Sequence, residues 1–129
     1  MTTPIRLYAV RGAVCCENSK ESIMNCVPQL YREILNKNAI QENDIVSVLF
    51  SVTNDLTVLN PATALRKAGL ARSVPLFASM EPFIEGYLPS VIRILLTYYG
   101  ETRPVHIYLN GAEQLRPDLN TGTVSAQTE

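Results

Sequence analysis

Two arginines, Arg11 and Arg93, stand inside runs of apolar, strand-forming residues, 5–14 and 91–99. A guanidinium keeps its proton at any ordinary pH. Drawing it toward a protein interior is costly unless an anion and hydrogen bonds meet it. That anion is either a carboxylate of the protein or a bound ligand, and a second arginine of the same kind shifts the balance toward a ligand. Arg116 borders another apolar strand and Arg66 falls on a short helix. Glu81, between a strand and a proline, is a stiffly held acid, and Tyr108 brings a hydroxyl to a strand. Several arginines with one acid and one tyrosine suit a small dianion that carries a hydroxyl group. Each residue also has a plainer reading: Arg66 on a solvated helix face, Glu81 as an arginine's partner, Tyr108 as a core or rim aromatic.

Other chemistries find little support. The lone histidine, His106, has no nucleophile near it in the sequence and reads as structural. Neither a dinucleotide nor a Walker glycine pattern occurs, and no run of metal ligands is present, so no cofactor and no metal are expected. Cys15, Cys16 and Cys26 have neither disulfide-framework nor zinc spacing. They read as free thiols, and with no signal-peptide pattern the expected location is the cytoplasm.

The 129 residues are enough for one domain with one core, and 47% apolar against 18% charged is an ordinary globular composition. A net charge of −1 offers no global field to nucleic acid or to an anionic membrane surface. No apolar run reaches the roughly 20 residues that span a bilayer. An anion must therefore be held by local geometry, for which arginine, more frequent here than lysine, is the better tool.

The elements that would position these residues follow from pattern. Residues 5–14 form a strand with Leu7, Ala9, Arg11 and Ala13 on one face, and Gly12 marks a bulge or a close approach. Ser19 caps a helix that runs to about Asn38, kinked at Pro28. Residues 45–53 are the clearest strand, apolar on both parities and so expected to be covered on both faces. A short helix spans 61–67 and stops at Gly69; a short strand covers 75–80. Residues 88–99 fit a helix stripe and a strand equally. A last strand covers Val105 to Leu109, with a continuation to Leu115 left open. The expected fold is α/β (α+β), one mixed sheet of five strands with two helices on one face. The domain covers 1–119 and a mobile tail 120–129. Two helices cannot cover both faces of such a sheet, so the open face is expected to be buried between subunits.

Taken in order, Arg11-Gly12-Ala13, then Ser51-Val52-Thr53-Asn54-Asp55-Leu56 leading to Pro61-Ala62, then Val74-Pro75-Leu76 before Glu81, Gly86, Leu88 and Val91-Ile92-Arg93 form a series. His106-Ile107-Tyr108-Leu109 and Leu115-Arg116-Pro117-Asp118-Leu119 complete it. This series resembles the AroH-class chorismate mutases from about residue 5 to 119. The resemblance implies a ferredoxin-like, chorismate-mutase-type homotrimer with a pseudo-barrel centre and sites at the subunit clefts, and it implies that 91–99 is a strand. It implies the Claisen rearrangement of chorismate to prephenate, without cofactor or covalent intermediate.

Carried over by position, the resemblance implies that Arg93 donates to the breaking ether oxygen and that Glu81 accepts from the ring hydroxyl. Arg11 and Tyr108 would hold the side-chain carboxylate, and Arg66 and Arg116 would sit at the mouth. Phe77 and Ala78 would line the pocket, Ala78 where relatives often carry Cys or Ser. Asn60 replaces a usual Phe, Thr63 an occasional Lys, and Tyr87 a small residue. Two other readings stand beside this one: a descendant of the family acting on another small anion, and a non-catalytic trimer that binds a carboxylate.

Overall fold

The computed structural model describes residues 4–120. Strands β1 (Arg6–Cys15), β2 (Ile45–Val52), β3 (Leu76–Met80), β4 (Val91–Gly100) and β5 (Ile107–Leu109) form one sheet in the order β3-β2-β4-β1-β5. β4 runs antiparallel to β1 and β2, while β3 joins β2 and β5 joins β1 in parallel. Helices α1 (Lys20–Lys37) and α2 (Pro61–Lys67) pack on one face, and a short α3 (Pro117–Asn120) follows β5.

Strand alternation decides what the helices cover. Val10, Val14, Val48, Phe50, Ile92, Ile94 and Leu96 turn toward the helices and are buried. They meet Ile23, Val27, Leu30 and Ile34 of α1 and Leu65 of α2 in one core. Gly12 lies under α1 in regular register opposite Ile94. A Cβ there would stand 2.7 Å from the Ile107 carbonyl oxygen, so the glycine marks a close approach and not a bulge. The one register shift in β2 falls between Ile45 and Ser47.

The helix ends are set by their caps. Ser19 Oγ accepts the Ser22 N–H at 3.1 Å, and α1 continues through the buried Pro28 as a single element. Asn60 Oδ1 accepts the Ala62 N–H at 2.8 Å, with Pro61 in the first helical turn. α2 gives way at Ala68 and Gly69, the latter at φ +80°.

Residues 91–100 resolve as strand because both edges of β4 find partners, a tertiary fact that local pattern does not contain. The last strand is shorter than expected: Asn110 and Gly111 take left-handed conformations, φ 55° and 100°, and 112–115 form a 3-10 turn. β2 was expected to be covered on both faces, yet within the chain Leu49 stays exposed opposite the buried Val48 and Phe50. The expected mobile tail lies, from residue 121 on, outside the described residues.

Candidate active site

The helix-free face of the sheet is where the chemistry-bearing residues converge. Register places Ser79, Ser51, Arg93, Ala13 and Tyr108 in one row across all five strands. The neighbouring row is Phe77, Leu49, Leu95 and Arg11. Arg11, Arg93, Ser51, Ser79, Leu49 and Phe77 share an open cavity of about 530 Å³. Two arginines read from separate strands thus line one hollow, with serine hydroxyls on one side and apolar side chains on the other.

Arg93 meets both a carboxylate and the cavity. Its Nε lies 2.9 Å from Glu81 Oε1 and 3.1 Å from Oε2, and the Ser51 hydroxyl donates to Oε1 at 2.9 Å. Glu81 is placed by its own backbone, whose N–H bonds to the Val52 carbonyl at 2.8 Å as β3 ends. Arg93 meets Glu81 through Nε, the inner nitrogen of a planar fork whose outer nitrogens Nη1 and Nη2 are also donors. The pair is partly open to solvent, with the Arg93 side chain 39% exposed.

At the β1–β5 side, the Arg11 N–H donates to His106 Nδ1 at 3.0 Å. Burial, then the charges of Arg11 and Arg116, hold the His106 imidazole below its ordinary pKa. A neutral ring is also what an accepting Nδ1 requires, since a protonated ring has no lone pair there. Tyr108 packs beside Ala13, Val91 and Ala112 under the 3-10 turn.

Four other residues singled out in the sequence lie outside the arginine cavity. Arg116 Nε and Nη2 grip the two oxygens of Asp118 at 3.2 and 3.0 Å, so much of its donor fork engages a protein carboxylate. That contact holds the Asp118 carboxyl below its usual range. Arg66 is exposed on α2, on the helix side of the sheet, and does not line the arginine cavity. Ala78 pairs with Phe50 and packs toward the core, one residue out of phase with Phe77 and Ser79. It borders a second cleft of about 400 Å³ with Asn60, Pro61 and Met80. Asn60 serves first as the cap of α2.

Sequence reading missed Ser51, which steadies Glu81, and Ser79, although both share the parity of Leu49 and Phe77. It also missed Thr53, whose hydroxyl is buried between β2 and β4. Among the described residues, no group of three or more His, Cys, Asp or Glu gathers as a metal site, and no helix is long and apolar enough to cross a membrane.

The sequence model of chorismate mutase type I matches residues 7–119. The chain belongs to the type I chorismate mutases. It is 39% identical over 117 residues to the chorismate mutase AroH of Thermus thermophilus, covering 87% of this chain and 95% of that one. To chorismate mutase AroH of Bacillus subtilis it is 32% identical over 118 residues, covering 88% and 93%. Among solved structures, a chorismate mutase from Clostridium thermocellum superposes with a TM-score of 0.79 at 33% identity, over 83% of this chain and 98% of that one. The mixed sheet with its helices on one face is thus the type I chorismate mutase fold, and membership covers every element that carries the arginine cavity.

Proposed function

We propose that this protein converts chorismate to prephenate in a cavity built around Arg11 and Arg93. The observation that carries this reading is their convergence, from adjacent antiparallel strands, on one hollow whose Arg93 and Ser51 also hold the Glu81 carboxylate. The rearrangement is unimolecular: the ether C–O bond breaks as a C–C bond forms, and negative charge builds on the ether oxygen. In this reading the Nη groups of Arg93 donate to that oxygen, a contact stronger in the transition state than in the ground state. Arg11 and Tyr108 hold the side-chain carboxylate and select the compact conformer. Glu81 accepts from the ring hydroxyl while its Arg93 and Ser51 contacts keep it in place.

Assembly belongs to the same proposal. Leu7, Leu49, Phe77, Leu95 and Tyr99 are left exposed on the cavity face, Phe77 at 66%. A homotrimer that buries this face would bring a neighbour's α2, with Arg66 and Asn60, to the mouth of the cavity. Ala78 then contributes to the wall between the two clefts, not to the floor beside Arg93.

The test is loss of the chorismate ultraviolet absorbance on adding purified protein, followed by the same assay on Arg93→Ala. Turnover that falls by about 3–4 kcal/mol of barrier, several hundredfold or more, is the expected result. Binding without turnover would favour the carboxylate-binding reading instead.

A further inference from the structure

The segment 53–55 is not used by the chemistry above, yet it holds the most heavily bonded carboxylate of the described residues. Asp55 Oδ1 accepts the Thr53 hydroxyl at 2.6 Å, while the Ser90 N–H lies 3.0 Å from Oδ2 and 3.2 Å from Oδ1. Ser90 Oγ adds a contact to Oδ2 at 3.2 Å. Ser90 stands at φ +60°, a left-handed conformation that is strained for a residue bearing a side chain. Thr53 is buried, and its hydroxyl accepts the Val91 N–H at 3.0 Å while its own hydrogen goes to Asp55.

These bonds close a loop. Residues 81–90 leave the sheet at Glu81, whose N–H is tied to Val52, and return at Ser90, tied to Asp55. Tyr87 Oη contacts Asn54 Oδ1 at 3.3 Å between them. Both ends of the loop, and hence both members of the Arg93–Glu81 pair, are referred to the single turn 52–55. Past Ser90 the chain is locked at once, by Cys16 N–H to the Ser90 carbonyl and Thr53 N–H to the Val91 carbonyl, at 3.0 and 3.1 Å.

We propose that Asp55 is a positioning residue: by holding Ser90 in its left-handed turn it sets where β4 begins and so aligns Arg93 with Glu81 across the cavity. The proposal rests on the chorismate mutase reading of that cavity. Hydrogen bonds from Thr53 and Ser90 outweigh the cost of burying the Asp55 carboxyl and keep it below its usual pKa, so the strap is charged at neutral pH.

The experiment compares the parent, Asp55→Ala, Asp55→Asn and the double variant Asp55→Ala/Ser90→Gly, assayed with chorismate at a temperature where circular dichroism shows each folded. A displacement near 1 Å at reacting groups costs about 100-fold. Asp55→Ala is therefore expected to lose about 10- to 100-fold in kcat with KM little changed, because Arg11 is untouched. Asp55→Asn keeps one acceptor for the Ser90 N–H and falls between. Glycine adopts positive φ without strain, so the double variant regains most of the lost kcat. Normal kcat in Asp55→Ala with only a lower Tm, or a loss that Ser90→Gly leaves untouched, overturns the positioning role while the mutase reading stands. A parent without turnover overturns both.

Discussion

Arg93 touches Glu81 through Nε, with both carboxylate oxygens near that one nitrogen. A guanidinium held at its inner nitrogen keeps an orientation while its outer edge stays available, which an ammonium cannot imitate. Arg93→Lys is therefore expected to lose nearly as much kcat as Arg93→Ala, about 100-fold or more. Lysine would have to choose between Glu81 and the substrate. Steady-state kinetics on the two variants side by side checks this; a lysine variant within about tenfold of the parent contradicts it.

Glu81→Gln keeps an acceptor for Ser51 and Arg93 but removes the charge. The pair is partly solvent-exposed, so its contribution to folding is at most about 1 kcal/mol. Turnover should fall while the urea midpoint barely moves. A large loss of stability with normal turnover would make Glu81 a structural residue.

Gly12→Ala is expected to destabilise the fold by about 1–3 kcal/mol. The added methyl meets a backbone oxygen, Ile107 O, together with Ile34 and Ile94, and a backbone strand yields less easily than a side chain. Urea unfolding measures it. Because Gly12 follows Arg11, kcat should also drop, and a variant as stable as the parent would mean β5 shifts outward freely.

Tyr31 and the 3-10 turn at 42–44 form a second brace. The buried Tyr31 hydroxyl and the Ala71 N–H, at φ +56°, both donate to Glu42 Oε2. Burial, and then the bond to Glu42, push the Tyr31 phenol far above its usual pKa. Glu42→Ala strips both donors of a charged acceptor and should cost about 1.5–3 kcal/mol in urea melts. Tyr31→Phe, which removes only one donor, should cost less.

His106 gives a pH dependence with a definite sign. Its folded pKa lies below the ordinary imidazole value of 6.5, so the unfolded chain binds the proton more readily. The stability held by the neutral ring is complete above the unfolded value. It is lost as pH falls from there through the depressed folded value. Urea midpoints from about pH 7.5 to about 5 should decline for the parent and flatten in His106→Gln, which keeps an acceptor and does not titrate. Equal slopes would exclude His106 as the source.

Most of the fold was legible because capping and period are local. Ser19, Pro61 and Gly69 announce their helix boundaries, and the alternation around Arg11 gives its face directly. What local pattern left open depended on partners distant in sequence. The strand at 91–100 is decided by β1 and β2, and the end of β5 by left-handed residues at 110 and 111. Arg11, Arg93 and Glu81 were readable as charges in apolar surroundings. Ser51, Thr53 and Asp55 were not, because a serine, a threonine and an aspartate at a strand's end look like any turn until the strand beside them is known. Ala78 was named by resemblance as a pocket residue, and the register of β3 turns it toward the core side of the sheet, out of phase with Phe77 and Ser79.

The first strand of the chain finds both its sheet neighbours, β4 and β5, in the last third of the sequence. During synthesis β1 therefore emerges long before anything can pair with it, and its closing contacts span long separations, which slows folding. Arg11 cannot face Arg93 until β4 has been made, so a product terminated before that strand lacks the hollow altogether instead of retaining a weakened form of it.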